Sequence, residues 1–116
     1  MLKGKSNFFR IDSKNFSLVF DGGRFDSFSI TERRGQFHGS IRMGRLGLDW
    51  IIACLTESSH WDFRKKKFYK CFRESYKSLE ITSRSNKGGL FVEISEYYNG
   101  VRRGCLRAPE FVKKAG

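Results

Sequence analysis

The stretch NKGGLFVEISE, residues 86–96, decides the fold. Its paired glycines tolerate the positive φ that a tight turn requires, and the alternation that follows them is typical of a strand with one buried face. Residues 21–32, DGGRFDSFSITE, have the same order of glycine turn and strand. Three positions of the earlier strand correspond to three of the later one, namely Phe28, Ile30 and Glu32 to Val92, Ile94 and Glu96.

The strand that follows each of these stretches repeats as well. Residues 39–42, GSIR, correspond to residues 104–107, GCLR, at a spacing of 65, whereas Ile30 and Ile94 are 64 residues apart. A drift of one residue inside a turn is normal for a diverged duplication. The sequence therefore predicts two copies of one sheet-forming unit.

Charge is the strongest global feature of the chain. The 116 residues predict one domain and carry a formal charge of +11, with a pI near 10.0. Residues 1–60 contribute nine basic and six acidic side chains, and residues 61–116 contribute fourteen and six. Because a basic chain is attracted to polyanions, nucleic acid is the first candidate partner and an anionic membrane surface the second.

The cysteines and the apolar segments limit the location and the chemistry. Cys54, Cys71 and Cys105 lie far apart with no histidine at ligand spacing, which favours reduced thiols over disulfides or a zinc site. No signal-peptide pattern opens the chain, and the longest apolar run, residues 50–55, is too short to span a bilayer. We expect a soluble protein of the nucleus, and also of the cytoplasm, with no membrane partner, cofactor, metal or small-molecule substrate.

The first unit, residues 8–60, is expected to be a sheet followed by one helix. Its strands are predicted at residues 8–12, 15–21, 25–34 and 36–43, the first two being either separate or one long strand. From Arg45 to about Glu57 the apolar residues change to helical spacing. This helix should cover the apolar side of the sheet, with Trp50 and Cys54 in the core.

The second unit, residues 61–110, is expected to lack a helix. Its basic, aromatic segment at residues 63–76 suits either a short amphipathic helix or a first strand, and further strands are predicted at residues 78–85, 90–98 and 101–108. Residues 109–116 are too short to form the equivalent of the first helix. Residues 1–7 are predicted to be a disordered lead and residues 111–116 a tail.

Residues 84–96 resemble the PUR repeat of the Pur-alpha family, which binds purine-rich single strands. That repeat has a Lys/Arg-x-Asn turn with a glycine and then a strand of the form Phe-x-x-Ile-x-Glu, and Arg84, Asn86, Phe91, Ile94 and Glu96 match it. Leu90 replaces a usual basic residue, and the first copy keeps only Arg24 of the turn. The whole chain also resembles uncharacterised plant proteins of retroelement-type coding regions, through the segments GG-x-F, SEY and G-x-x-R-x-PE.

The resemblance implies an α+β fold of two PUR-like or Whirly-like repeats, each a curved antiparallel sheet backed by a helix, with the second helix missing. Transcription-coactivator single-strand binders share this topology, and fold alone does not give function. It further implies that Arg84, Asn86 and Lys87 contact nucleic acid. The missing helix suggests either that the chain is a fragment or that it forms a homodimer, in which another chain supplies the packing.

The polar side of the predicted sheet offers what single-strand binding requires, namely cations for phosphates and rings for exposed bases. The candidate residues are Arg24, Arg33, His38, Arg42, Arg84, Asn86, Lys87, Phe91, Tyr97, Arg103 and Arg107. The alternative is a protein-interaction or dimerisation module of retroelement origin, whose basic side is only the solvated side of a sheet. Since His38 and His60 have no partners at catalytic spacing and no phosphate-binding glycine motif is present, we expect no enzymatic activity.

Overall fold

The computed structural model describes residues 5–11, 14–20, 27–62, 64–74, 77–87 and 89–109. These residues form an α+β fold of eight strands and one helix. In chain order they are β1 (Lys5–Ile11), β2 (Lys14–Phe20), β3 (Phe28–Arg34), β4 (Phe37–Met43), α1 (Arg45–Ser58), β5 (Tyr69–Arg73), β6 (Lys77–Asn86), β7 (Gly89–Tyr98) and β8 (Val101–Pro109). Two antiparallel four-stranded sheets result, the first of β1 to β4 and the second of β5 to β8, each in sequential order.

The first sheet differs from its prediction at the start of the chain. Strand β1 begins at Lys5, so residues 5–7 pair with β2 and do not belong to a disordered lead. The two strands are separate, because β1 ends at Ile11 and pairs antiparallel with β2, which begins at Lys14. The inner face of the sheet alternates as predicted, with Leu18, Ile30 and Ile41 in one register row.

The second sheet settles the alternative that the sequence left open. The basic segment contributes a strand, β5, and its described residues, 64–74, form no helix. The turn between β7 and β8 has positive φ at both central residues, 51° at Asn99 and 79° at Gly100. That backbone is the type I′ hairpin turn that an Asn-Gly pair predicts.

The helix covers the sheet of the other repeat. Gly47 is buried between Met43 and Leu79, where a Cβ atom would lie 3.2 Å from a Leu79 methyl carbon. The Trp50 ring packs on Phe72 of β5 with centroids 5.5 Å apart. The predicted core positions of Trp50 and Cys54 are confirmed, since Cys54 is buried and Trp50 packs against the core cluster. One core therefore joins α1, β4 and the inner face of the second sheet.

The two repeats cross where β4 of one meets β8 of the other. Glycine is required on both sides, because a Cβ atom at Gly39 would collide with the carbonyl oxygen of Cys105, and one at Gly104 with that of Ser40. Gly39 and Gly104 occupy corresponding positions in the two copies of the duplicated sequence. The backbones approach too closely there for any other residue.

Two buried carboxylates join the repeats in a reciprocal way. Glu32 of β3 accepts a 2.7 Å hydrogen bond from the backbone N–H of Arg107, and Glu96 of β7 accepts a 3.0 Å hydrogen bond from that of Arg42. Donors and acceptors occupy corresponding positions of the two copies, so the repeats are related by a pseudo-twofold axis. Lys77 balances the charge of Glu96 through a buried ion pair of 2.9 Å.

Candidate nucleic-acid interface

The outer face of the second sheet gathers five of the predicted residues. Register partners Arg84 and Phe91 lie on β6 and β7, and Arg107 lies opposite Glu93 on β8. Because side chains alternate along a strand, Phe91, Glu93 and Tyr97 share this face, and so do Arg84 and Asn86. We call Arg84, Phe91, Glu93, Arg102 and Arg107 the arginine cluster.

Glu93 is the centre of the arginine cluster. One carboxylate oxygen accepts from Nε of Arg84 at 2.8 Å, and the other lies 3.3 Å from both an Arg102 terminal nitrogen and Nε of Arg107. The Glu93 side chain is only 7% exposed, whereas those of the three arginines are 43–54% exposed. Three cations against one carboxylate leave a local excess of positive charge on an accessible surface.

The electrostatics of the cluster favour the ionised form of Glu93. Burial alone would raise the pKa of this carboxyl, but the hydrogen bond from Arg84 and the charges of Arg102 and Arg84, with the bond from Arg107, lower it overall. Glu93 is therefore a carboxylate at neutral pH, and it fixes the directions in which the three guanidinium groups point.

Aromatic rings accompany these cations. The Arg107 guanidinium carbon lies 5.6 Å from the centre of the Phe91 ring, within the range of a cation–π contact. Farther along the same face, Tyr97 lines an open polar groove of about 440 Å³ together with Arg73 and Ser78. The outer face thus carries positively charged side chains next to aromatic rings.

The other predicted residues lie apart from the cluster. Arg33 and His38 are exposed register partners on the first sheet, and Arg42 follows on its outer face. Arg103 occupies the irregularity of β8, stacks on Tyr98 at 5.6 Å, and lines with Arg42 a separate pocket of about 340 Å³. The single polar face that the sequence suggested is two surfaces.

The remaining turn residues are distributed as follows. Lys87 is exposed in the turn between β6 and β7, next to Asn86 at the end of β6. Arg24 lies outside the described residues, so its predicted contact with nucleic acid stays a prediction.

Sequence reasoning missed Glu93 and Arg102. The alternation of β7 already placed Glu93 outward, between Arg84 and Arg107 on neighbouring strands, and opposite charges at such positions attract. Arg102 gave no comparable signal, because its position opposite Tyr97 depends on the one-residue irregularity between Glu96 and Tyr97.

The described residues also bear on thiol chemistry, metal binding and membrane insertion. Cys54, Cys71 and Cys105 are free thiols, and burial, assisted by Glu57, raises the pKa of Cys54 despite the nearby charge of Lys70. Among the described residues, no group of three histidine, cysteine or acidic side chains could hold a metal ion. The single helix found there is too short to cross a membrane.

No protein-family model matches the chain, and no curated protein matches it. The resemblance to the PUR repeat therefore stays a prediction, carried by the motif at residues 84–96 and by the duplicated sequence.

Proposed function

We propose that this protein binds single-stranded DNA or RNA on the outer face of its second sheet. The observation that carries the proposal is the arginine cluster, in which one buried carboxylate orients three guanidinium groups beside the Phe91 ring. Fixed guanidinium groups match the geometry of phosphate oxygens and lose little entropy when they bind them.

A single strand suits this face better than a duplex. A strand that passes along the sheet can place its phosphates on the arginines and stack unpaired bases on Phe91 and Tyr97, at about 1–3 kcal/mol per stacked base. In a duplex the bases are already stacked on each other, so only the phosphate contacts remain. The proposed strand preference therefore depends on the rings, and the affinity depends mainly on the arginines.

The nuclear location is proposed on the same grounds. A polyanion-binding chain with an exposed run of cations at Arg64, Lys65, Lys66 and Lys67 suits nuclear import, as well as a role on nucleic acid. Catalysis is no part of the proposal, because the carboxylate of the cluster, Glu93, is buried and already engaged by three arginines.

The test is fluorescence anisotropy with labelled purine-rich, pyrimidine-rich and duplex oligonucleotides over a salt series. We expect the two single strands to bind more tightly than the duplex near physiological salt. The variant with Arg84→Ala and Phe91→Ala should lose about tenfold or more in affinity, and each arginine removed should reduce the salt slope by about one unit.

Arg45→Ala is the matched control, because Arg45 is an exposed helix residue whose partner is Asp49. It changes the net charge as Arg84→Ala does but leaves the second sheet intact, so strand preference should persist. Weak binding that is equal for all three oligonucleotides and vanishes at moderate salt would refute the proposal. Such a result would favour the protein-interaction alternative.

A further inference from the structure

Part of the inner face of the first sheet is exposed, whereas the corresponding part of the second sheet is covered; Phe16, on the same inner face, is itself buried. Phe20 is 37% exposed, and Leu18, Phe28 and Ile30 are only half-buried. The rings of Phe20 and Phe28 pack together with centroids 5.0 Å apart. These four side chains form an uncharged apolar surface, which we call the open face.

The pseudo-twofold axis gives an internal standard for this surface. Ile81, Val92 and Ile94 of the second sheet correspond to Leu18, Phe28 and Ile30 of the first, yet they are at most 2% exposed. The difference arises because α1 packs on the second sheet, through Gly47 on Leu79 and Trp50 on Phe72. Among the described residues, no second helix packs on the first sheet.

We propose that the open face is a docking site for an amphipathic helix of a partner protein, seated where the pseudo-twofold axis would place a second α1. The established core continues into this face, since Leu18, Phe28 and Ile30 already pack against its buried cluster. A helix laid there would extend an existing interface and bury apolar surface that is now wet.

The net charge of the chain indicates which charge the polar side of the partner helix should carry. Segment α1 carries one basic and two acidic residues within a chain of net charge +11. A partner helix with an acidic polar side would likewise be attracted to the chain, whereas a basic one would be repelled. The partner is thus an amphipathic helix with an apolar side like that of α1 and a net negative polar side.

A grafted helix tests whether the face accepts such a partner without knowledge of its natural source. In the graft, a copy of residues 45–58 replaces residues 110–116 directly after Pro109, which corresponds to Gly44. Covalent attachment provides an effective concentration of about a millimolar, so even an imperfect fit is detected. We expect the Tm to rise by about 4 °C or more and the fluorescence of a bound apolar dye to fall.

Four matched variants distinguish helix docking from other causes of a change in Tm. A control graft with Leu48→Glu and Ile51→Glu in the copied segment should give no rise in Tm. Phe20→Ser on the open face should remove most of the gain, whereas Ile52→Ser on the exposed side of the original α1 should leave it unchanged. A graft with Asp49→Lys and Glu57→Lys in the copy should gain less at low salt.

The proposal is overturned if the graft stabilises the chain no more than the control graft does. Sedimentation of the natural chain provides the second decisive measurement. We expect a monomer at micromolar concentration, with the open face accessible. A dimer that Phe20→Ser dissociates would show that a second copy fills the face, and this too would overturn the proposal.

Discussion

At the scale of single residues, Glu93 has the largest influence on the proposed function, although it contacts no phosphate itself. Its oxygens hold Arg84, Arg102 and Arg107 in one group on the outer face. Without it, the three like charges, on the strands that flank β7, would repel each other and their long side chains would spread into solvent. The carboxylate thus converts three flexible cations into one oriented surface.

Glu93→Gln should lower the free energy of unfolding by about 1.5–3 kcal/mol, because an amide replaces the charged acceptor of three arginine contacts. Urea unfolding at pH 7 measures this change. Glu80→Gln is the matched control, since Glu80 faces the same side of the second sheet but, among the described residues, accepts one hydrogen bond, from the Tyr69 hydroxyl at 3.1 Å. A loss no larger than that of Glu80→Gln would contradict the central role of Glu93.

The pH dependence of this effect has a definite sign. The pKa of Glu93 in the folded state is lowered from its ordinary value of 4.5, so its stabilisation is fully present above that pH. The stabilisation is lost as the pH falls through the folded pKa. The stability difference between the natural chain and Glu93→Gln should therefore shrink between about pH 5 and pH 3. A constant difference over that range would show that ionisation of Glu93 contributes nothing.

At the scale of elements, the crossing of β4 and β8 sets the geometry of the molecule. The two strands meet at Gly39 and Gly104, each against a backbone carbonyl of the other strand. Because backbone atoms are in contact there, an added Cβ atom can be accommodated only if a whole strand shifts. A single added carbon therefore affects both sheets.

Gly104→Ala should destabilise the fold by about 1–3 kcal/mol or more, because the new methyl group overlaps the Ser40 carbonyl oxygen. Thermal unfolding followed by circular dichroism measures the loss. Cys105→Ala, at the neighbouring position of β8, shortens a half-buried side chain without crowding the crossing and should cost less. Equal losses for the two variants would mean that the strands separate easily.

The elements also show how far the sequence predicts this fold. Alternation and glycine turns located β3, β4, β6, β7 and β8, and helical spacing located α1 from Arg45. The start of β1 was wrong, because Lys5 to Asn7 carry no apolar pattern and are ordered by pairing with β2. Which sheet the helix covers depends on tertiary packing of Gly47 and Trp50, and no local pattern encodes it.

The site was predictable to a similar degree. Cross-strand neighbours such as Arg84, Phe91 and Arg107 were found because alternation assigns each of them to a face. The separation of Arg42 and Arg103 from the cluster could not be predicted, because it results from the crossing of two sheets and from the irregularity before Tyr97. Long-range geometry of this kind is not encoded by spacing along the chain.

At the scale of the whole molecule, the two repeats share one core and each supplies a buried carboxylate to the other. Glu32 and Glu96 each lose a hydrogen bond from a backbone N–H of the other repeat if the repeats separate, and a buried carboxylate that loses a donor is destabilised. The repeats should therefore fold and unfold together.

A single cooperative transition is the expected result of denaturant unfolding. Tryptophan fluorescence, which reports on Trp50 at the junction of the repeats and on Trp61 against Phe68, should give the same midpoint as far-ultraviolet circular dichroism. Residues 1–60 alone should remain unfolded, since they lack the sheet that α1 covers. A fluorescence midpoint clearly below the circular dichroism midpoint would show that the junction opens first.

The reciprocal carboxylate contacts are also those expected if the two-repeat chain evolved by duplication of a half-length chain. Two identical half-length chains that paired about a true twofold axis would make the same contact twice, as isologous dimers do. Once the two halves were joined in one chain, their sequences no longer had to be identical. Phe91 and Glu93 correspond to Ser27 and Ser29 in the first repeat, so only one half carries the arginine cluster, while the other carries the open face. Duplication and fusion would thus allow two different surfaces to diverge from one ancestral surface.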